Sequence, residues 1–178
     1  MNITYGRAIT DKELNQILTL QQKNAPTNLS AEEKVKEGFI TVIHSFEQLK
    51  KFNEDCPHII AKYQNEVIGY ALCMTKKFRE EIPVLTPMFN TADSLLKGKN
   101  YLALGQICVS KQFRGKGVFR GMYTFYRKEL NGYYDCLVTE VATSNKRSLN
   151  AHLNIGFDIL ETQISEGISW ELICWDWK

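Results

Sequence analysis

The stretch Val109-Ser110-Lys111-Gln112-Phe113-Arg114-Gly115-Lys116-Gly117-Val118-Phe119 decides how the chain is read. An apolar run ends at Val109. A helical pattern begins a few residues later, with Val118, Phe119, Met122, Phe125, Tyr126 and Leu130 on one broad face. Between them lie Gly115, Gly117 and the cations Lys111, Arg114 and Lys116. A helix N-terminus offers unpaired N–H groups and a partial positive charge. Glycines let that backbone come close to a ligand. Together these features make an anion site suited to a pyrophosphate. The loop is not a Walker loop, because Gly115-Lys116 is followed by Gly117 rather than Ser or Thr. It departs from the dinucleotide fingerprint too, with Arg120 where the third glycine belongs.

Working outward, 101–109 reads as a strand, 115–130 as a helix and 134–142 as a second strand. That order makes a parallel pair with a right-handed crossover. Residues 146–154 form a short helix ended by Gly156. Strands at 157–164 and 168–177 flank Ser165-Glu166-Gly167 as a hairpin. Toward the N-terminus, the pattern predicts a strand over 3–9 and a helix over 11–23 capped by Thr10 or Asp11. Ser30 and Glu33 form a capping-box pattern for a helix through Lys36, ended by Gly38. Residues 39–43 read as strand or loop, and 45–53 as an amphipathic helix. Strands at 58–64 and 67–75 join through Asn65-Glu66. Residues 80–96, with Pro83 and Pro87, read as irregular with a helical turn near 91–96. The fold class is mixed α/β (α+β): a central mixed sheet of six or seven strands flanked by helices, in one domain over 1–178.

Composition agrees with an ordinary globular domain. The chain has 178 residues, 44% hydrophobic, 24% charged and 11% aromatic, which excludes disordered and fibrous classes. With 22 Lys+Arg against 20 Asp+Glu, the charge is too balanced to suggest a nucleic-acid or membrane partner. The five cysteines, at 56, 73, 108, 136 and 174, include no CxxC pair and read as buried thiols in a reducing compartment. Cys56 and His58, separated by Pro57, do not make a metal site. With no apolar run near ~18 residues and no signal-peptide pattern, the expected address is cytoplasmic. Trp170, Trp175 and Trp177 suit either a packed edge or a dimer contact, so a monomer or a homodimer is expected.

Gln112-x-x-Gly115-x-Gly117 resembles the Q/R-x-x-G-x-G/A motif of the GNAT superfamily of acyl-CoA N-acyltransferases. The run from Asn145 through His152 to Gly156-Phe157 resembles the family's second signature. The resemblance implies a GNAT-like fold that binds acetyl-CoA and transfers its acetyl group to the primary amine of a small molecule, amino acid or peptide. It implies that Ile107, Cys108 and Val109 lie along the pantetheine arm. It assigns Gln112, Arg114, Gly115, Lys116, Gly117, Val118 and Phe119 to the pyrophosphate, with Asn145, Ser148 and His152 also near the cofactor. The strands 101–109 and 134–142 are expected to splay and admit the acyl group.

Direct attack of an amine on a thioester needs a proton acceptor and stabilisation of the oxyanion, which the Val109 N–H can supply. No covalent enzyme intermediate is required, so Cys108 and Cys136 read as core thiols. Glu140 is the expected base, because it stands among apolar residues on the face shared by Cys136, Val138 and Ala142. Gln106 is a polar residue in an apolar strand and is expected to orient substrate or water. His152 stands where many family members carry the tyrosine that protonates the departing thiolate, and is read in that catalytic role. Phe39, Ile40, His44, Tyr70 and residues 80–96 are the expected acceptor lining. Two alternatives stay open: a non-catalytic acyl-CoA-binding or sensor domain, which the missing tyrosine favours, and a nucleotide-phosphate protein of another fold.

Overall fold

The computed structural model describes residues 1–28, 30, 32, 40 and 42–178. Most of the expected helix over 30–36, and residues 39 and 41, therefore fall outside the described residues. Seven strands form one sheet: β1 (Thr4–Arg7), β2 (Ile59–Tyr63), β3 (Glu66–Met74), β4 (Tyr101–Val109), β5 (Cys136–Ala142), β6 (Asp158–Ser165) and β7 (Ile168–Asp176). Their spatial order is β1-β2-β3-β4-β5-β7-β6. Among the described residues, only β4 and β5 pair in parallel. The helices are α1 (Asp11–Lys23), α2 (Phe46–Asp55), α3 (Thr86–Leu95), α4 (Val118–Leu130) and α5 (Lys146–Leu153). No helix among the described residues is long and apolar enough to cross a membrane.

Local chemistry accounts for the boundaries. The Thr10 side chain accepts from Glu13 N, and Glu13 reaches back to the cap, so α1 starts at a reciprocal capping box. Ser45 and Gln48 do the same for α2. The β2–β3 turn is Gln64-Asn65, not Asn65-Glu66: both residues have positive φ, 50° and 64°, as a tight hairpin turn requires. Residues 86–95 are helical rather than irregular, because Pro87 sits in the first turn, where a missing N–H costs nothing. The predicted helix over 115–130 begins only at Val118, since Gly115 and Gly117 take left-handed φ of 72° and 79°.

The sheet is covered on both faces. Val118, Met122, Tyr123 and Tyr126 of α4 pack with Leu102 and Leu137 on one side, joined by Leu149 of α5. On the other side, Met88 and Phe89 of α3 pack with Tyr101, Val138 and Leu172, while Leu14, Ile17 and Leu20 of α1 pack with Ile60, Tyr70 and Leu72. His58 is a buried bolt rather than a ligand: its ring nitrogens lie 3.1 Å from Leu49 O and from Cys73 N. Trp175 and Trp177 are packed among Tyr123, Tyr126 and Phe157, so these two tryptophans belong to the core.

Gly121 answers to close approach, not to ligand binding. A Cβ placed there would lie 2.1 Å from the Tyr5 hydroxyl oxygen. Gly121→Ala is expected to destabilise by about 1–2 kcal/mol through this overlap. In a Tyr5→Ala background the same change should be neutral or stabilising, because Ala then contributes only its helix propensity. Denaturant melts of the four proteins check this; an equal cost in both backgrounds contradicts it.

Candidate active site

The site grows from a fork in the sheet. β4 and β5 pair only over Tyr101–Ala103 and Cys136–Val138, although both strands continue for several residues. Each stays with its other neighbour: β5 pairs with β7 from Cys136 to Ala142, and β4 follows β3 to Val109. β4 also carries one extra residue, since Ala71 faces Ile107 while Cys73 faces Leu104. Such a bulge bends its strand. At the point of divergence, the Thr139 hydroxyl donates to Leu104 O at 2.9 Å. This bond occupies a carbonyl that a continued ladder would have used.

The register also decides which backbone groups face the gap. Ser110 N donates to Ile68 O at 2.8 Å, and Tyr70 is level with Cys108. Hydrogen-bonded pairs alternate along an antiparallel ladder. The N–H groups of Ile107 and Val109 therefore turn away from β3, toward the side that β5 has left.

Beyond the end of β4 lies a cleft of about 390 Å³, a size suited to a ligand. Ile107, Cys108, Val109, Arg114, Gly115, Gly117, Val118, Phe119, Asn145 and Ser148 line it. The positions a Cβ would take on Gly115 and Gly117 have nothing within 4 Å. No side chain caps α4, and its first intrahelical bond is Gly121 N to Gly117 O at 2.9 Å. The N–H groups of the first turn are thus left toward the cleft. Arg120 and Arg147 line it as well. Arg114 has structural duties: its Nε donates to Val109 O at 3.0 Å, and its guanidinium reaches Asn24 Oδ1 at 2.5 Å. Gln112 and Lys116 are exposed beside the cleft and do not line it.

A smaller chamber of about 100 Å³ opens from the same gap. It shares Ile40, Ile107, Asn145 and Ser148 with the cleft, and it adds Gln106, Glu140 and His152. Val84, Leu85 and Met88 contribute from the 80–96 segment. Of the other expected acceptor residues, Tyr70 and His44 are buried and do not line the chamber, and Phe39 lies outside the described residues.

The polar groups in the chamber differ in their freedom. Burial raises the Glu140 carboxyl to about 7, against an opposing effect from Gln163, whose side-chain amide donates to Glu140 Oε1. Gln106 is held at both ends: its Nε2 donates to Val42 O at 2.7 Å, and Tyr70 donates to its Oε1 at 2.5 Å. It clamps the bulge in β4.

His152 corrects the expectation of a proton donor. It is only 2% exposed. Its Nδ1 is 2.7 Å from Ser148 O, so that nitrogen carries the hydrogen, and its buried Nε2 has no hydrogen-bond partner among the described residues. The rings of Phe119, Tyr123 and Phe157 meet it edge-on at 5.2–5.6 Å between centroids. Burial lowers its pKa to about 4, so the ring is neutral at pH 7. Its one available nitrogen can only accept. His152→Phe is therefore expected to keep turnover within about threefold of wild type in a steady-state assay. A loss of about 10²-fold or more would restore a proton-transfer role.

Both cysteines are buried: burial pushes the Cys108 thiol up to about 11, while Cys136 is fully buried beside Cys174, which lowers its pKa. Sequence reasoning missed Thr139, Gln163 and Asn24. Each acts across strands or helices distant in the chain, so local spacing carried no signal for them.

Three comparisons with known proteins bear on this site. The sequence model of the Acetyltransferase (GNAT) family matches residues 16–157. No curated protein matches the sequence. Among solved structures, the chain is similar to the putative acetyltransferase yncA from Salmonella typhimurium with its cofactor acetyl-CoA, at 12% identity over 99% of this chain and 94% of that one, TM-score 0.66. It is similar to Ard1 from Thermoplasma volcanium at 11% identity, covering 99% and 98%, TM-score 0.70. It is also similar to the ribosomal-protein-S18-alanine N-acetyltransferase from Escherichia coli at 12% identity, covering 98% and 94%, TM-score 0.66.

Proposed function

The chain belongs to the Acetyltransferase (GNAT) family, and we propose that it transfers an acetyl group from acetyl-CoA to the primary amine of a small molecule, an amino acid or a peptide. One observation carries the reading: a half-buried carboxylate, Glu140, stands in a chamber that opens from the same gap as the glycine-loop cleft.

The residues present fit acetyl-CoA as donor. Gly115 and Gly117 leave open the space that side chains would fill, and the α4 N-terminus meets a diphosphate with N–H groups. Arg120 and Arg147 add positive charge to the cleft. The unpaired edge at Ile107 and Val109 suits the amides of the pantetheine arm. When bound, acetyl-CoA supplies an activated thioester.

The chain's own groups then divide the work. The Val109 N–H, turned into the gap, donates to the acyl oxygen as negative charge develops there. Glu140, in its ionised form, accepts the proton that the attacking amine gives up, directly or through one water. The largely apolar walls, including Val84, Leu85, Met88 and Trp170, exclude bulk water from the amine. His152 holds α5 against α4 and moves no proton.

A second reading, an acyl-CoA-binding or sensor domain without turnover, draws on that neutral His152. Release of CoA thiol from acetyl-CoA, followed across a panel of small amines, free amino acids and peptides, separates the two. Turnover with any class supports the transferase. Tight acetyl-CoA binding with no turnover across the panel supports the sensor.

A further inference from the structure

We propose that Gln163 is a positioning residue, which aims the Glu140 carboxylate into the chamber while Thr91 anchors the far end of its amide. The inference rests on the reading of Glu140 as the base. It joins three elements that no local motif connects: β6, β5 and α3.

The register places the groups. Gln163 of β6 is level with Trp170 of β7, and Trp170 is level with Ala142 of β5. Those three share one face of the sheet, and Glu140 lies on that face two residues from Ala142. Gln163 thus reaches over β7 to donate to Glu140 Oε1. On the same face, the Thr91 hydroxyl of α3 donates to Gln163 Oε1 at 2.9 Å. This second bond fixes which way the amide points. With its oxygen taken by Thr91, the amide must offer N–H to Glu140, and an ionised carboxylate can only accept.

The choice of glutamine has a chemical consequence. A lysine or arginine here would hold the carboxyl ionised but lower its basicity. A neutral amide orients the same oxygen at a smaller cost in basicity. The groups around Glu140 leave this bond exposed to measurement. α5 presents His152, which is neutral; β4 presents Gln106; β7 presents Trp170; α3 presents Met88; β6 presents, beside Gln163, the exposed Glu161, level with Glu140 across Leu172 and outside the chamber. Among the described residues lining the chamber, Glu140 carries the only charge.

The test follows the Glu140 carboxyl by ¹³C NMR in protein labelled at glutamate carboxyl carbons, its resonance assigned by loss in Glu140→Gln. The wild-type midpoint is expected near pH 7. Gln163→Leu should raise it by about one pH unit, by removing a donor that favours the ionised form. Gln163→Lys should lower it below wild type, and Thr91→Val should raise it less than Gln163→Leu does. If neither Gln163 variant moves the midpoint, or both move it the same way, the positioning role is overturned. The Thr91→Val result decides the matter if a Gln163 variant fails to fold: an unmoved midpoint there also counts against the proposal. The titration needs neither acetyl-CoA nor an amine. A panel without turnover would sink the transferase reading and leave this result standing.

Discussion

Gly117→Trp is expected to abolish acetyl-CoA binding, with affinity falling by about 10²-fold or more, equivalent to roughly 2.8 kcal/mol. Two effects act together. Gly117 sits at φ 79° and ψ 0°, where an L side chain is strained. The space in front of it is open and belongs to the cleft, so an indole there would occupy the ligand's place. The substitution lies at an exposed N-cap, so the core should survive it. Isothermal titration of acetyl-CoA into the variant and wild type, with near-UV circular dichroism as the check on folding, reads the effect. Unchanged affinity in a folded Gly117→Trp protein would mean that the glycine loop does not hold the donor.

Glu140→Gln is expected to lower kcat by about 10²-fold, the usual scale of a lost general base, with acetyl-CoA affinity intact. The pH dependence gives the sharper signature. The folded carboxyl titrates near 7 because burial disfavours its charged form. The base is the ionised form, so wild-type kcat should rise as pH increases through about 7, and that limb should vanish in the variant. Stability should move the other way. A carboxyl whose folded pKa lies above its ordinary 4.5 favours the fold while it is protonated. That contribution is lost as pH rises from about 4.5 to about 7. Glu140→Gln cannot ionise, so at pH 8 it should melt at or above the wild-type temperature. A variant with wild-type kcat and the same pH limb would remove Glu140 from the mechanism.

How much of this was legible depended on whether the signal was local. The loop was readable because Gly115 and Gly117 fall between a strand and an amphipathic helix within a few residues. Glu140 was readable because strand alternation places a carboxylate on an apolar face. The fork was expected from family resemblance alone; its cause is the extra residue in β4 and the loyalty of β5 to β7, and both are pairings between distant segments. The hairpin turn was misplaced by one residue because Gln64 gives no hint that it will adopt positive φ. α3 was hidden by Pro83 and Pro87, which read as breakers but lie in a short turn and at the helix start. His152 was misjudged for a related reason. Its position in the motif is local, but the box of Phe119, Tyr123 and Phe157 that keeps it neutral comes from α4 and the residue just before β6. Gln106 looked like a substrate ligand because nothing nearby in sequence announces Tyr70 and Val42 as its partners.

The central claim is that one gap between β4 and β5 joins donor to acceptor. A crystal structure of the protein with acetyl-CoA tests it most directly. The account predicts the diphosphate against the N–H groups that open α4, the arm alongside Ile107 and Val109, and the thioester carbon between Val109 and Glu140. A donor seated elsewhere on the molecule, or an acetyl group pointing away from Glu140, would contradict it.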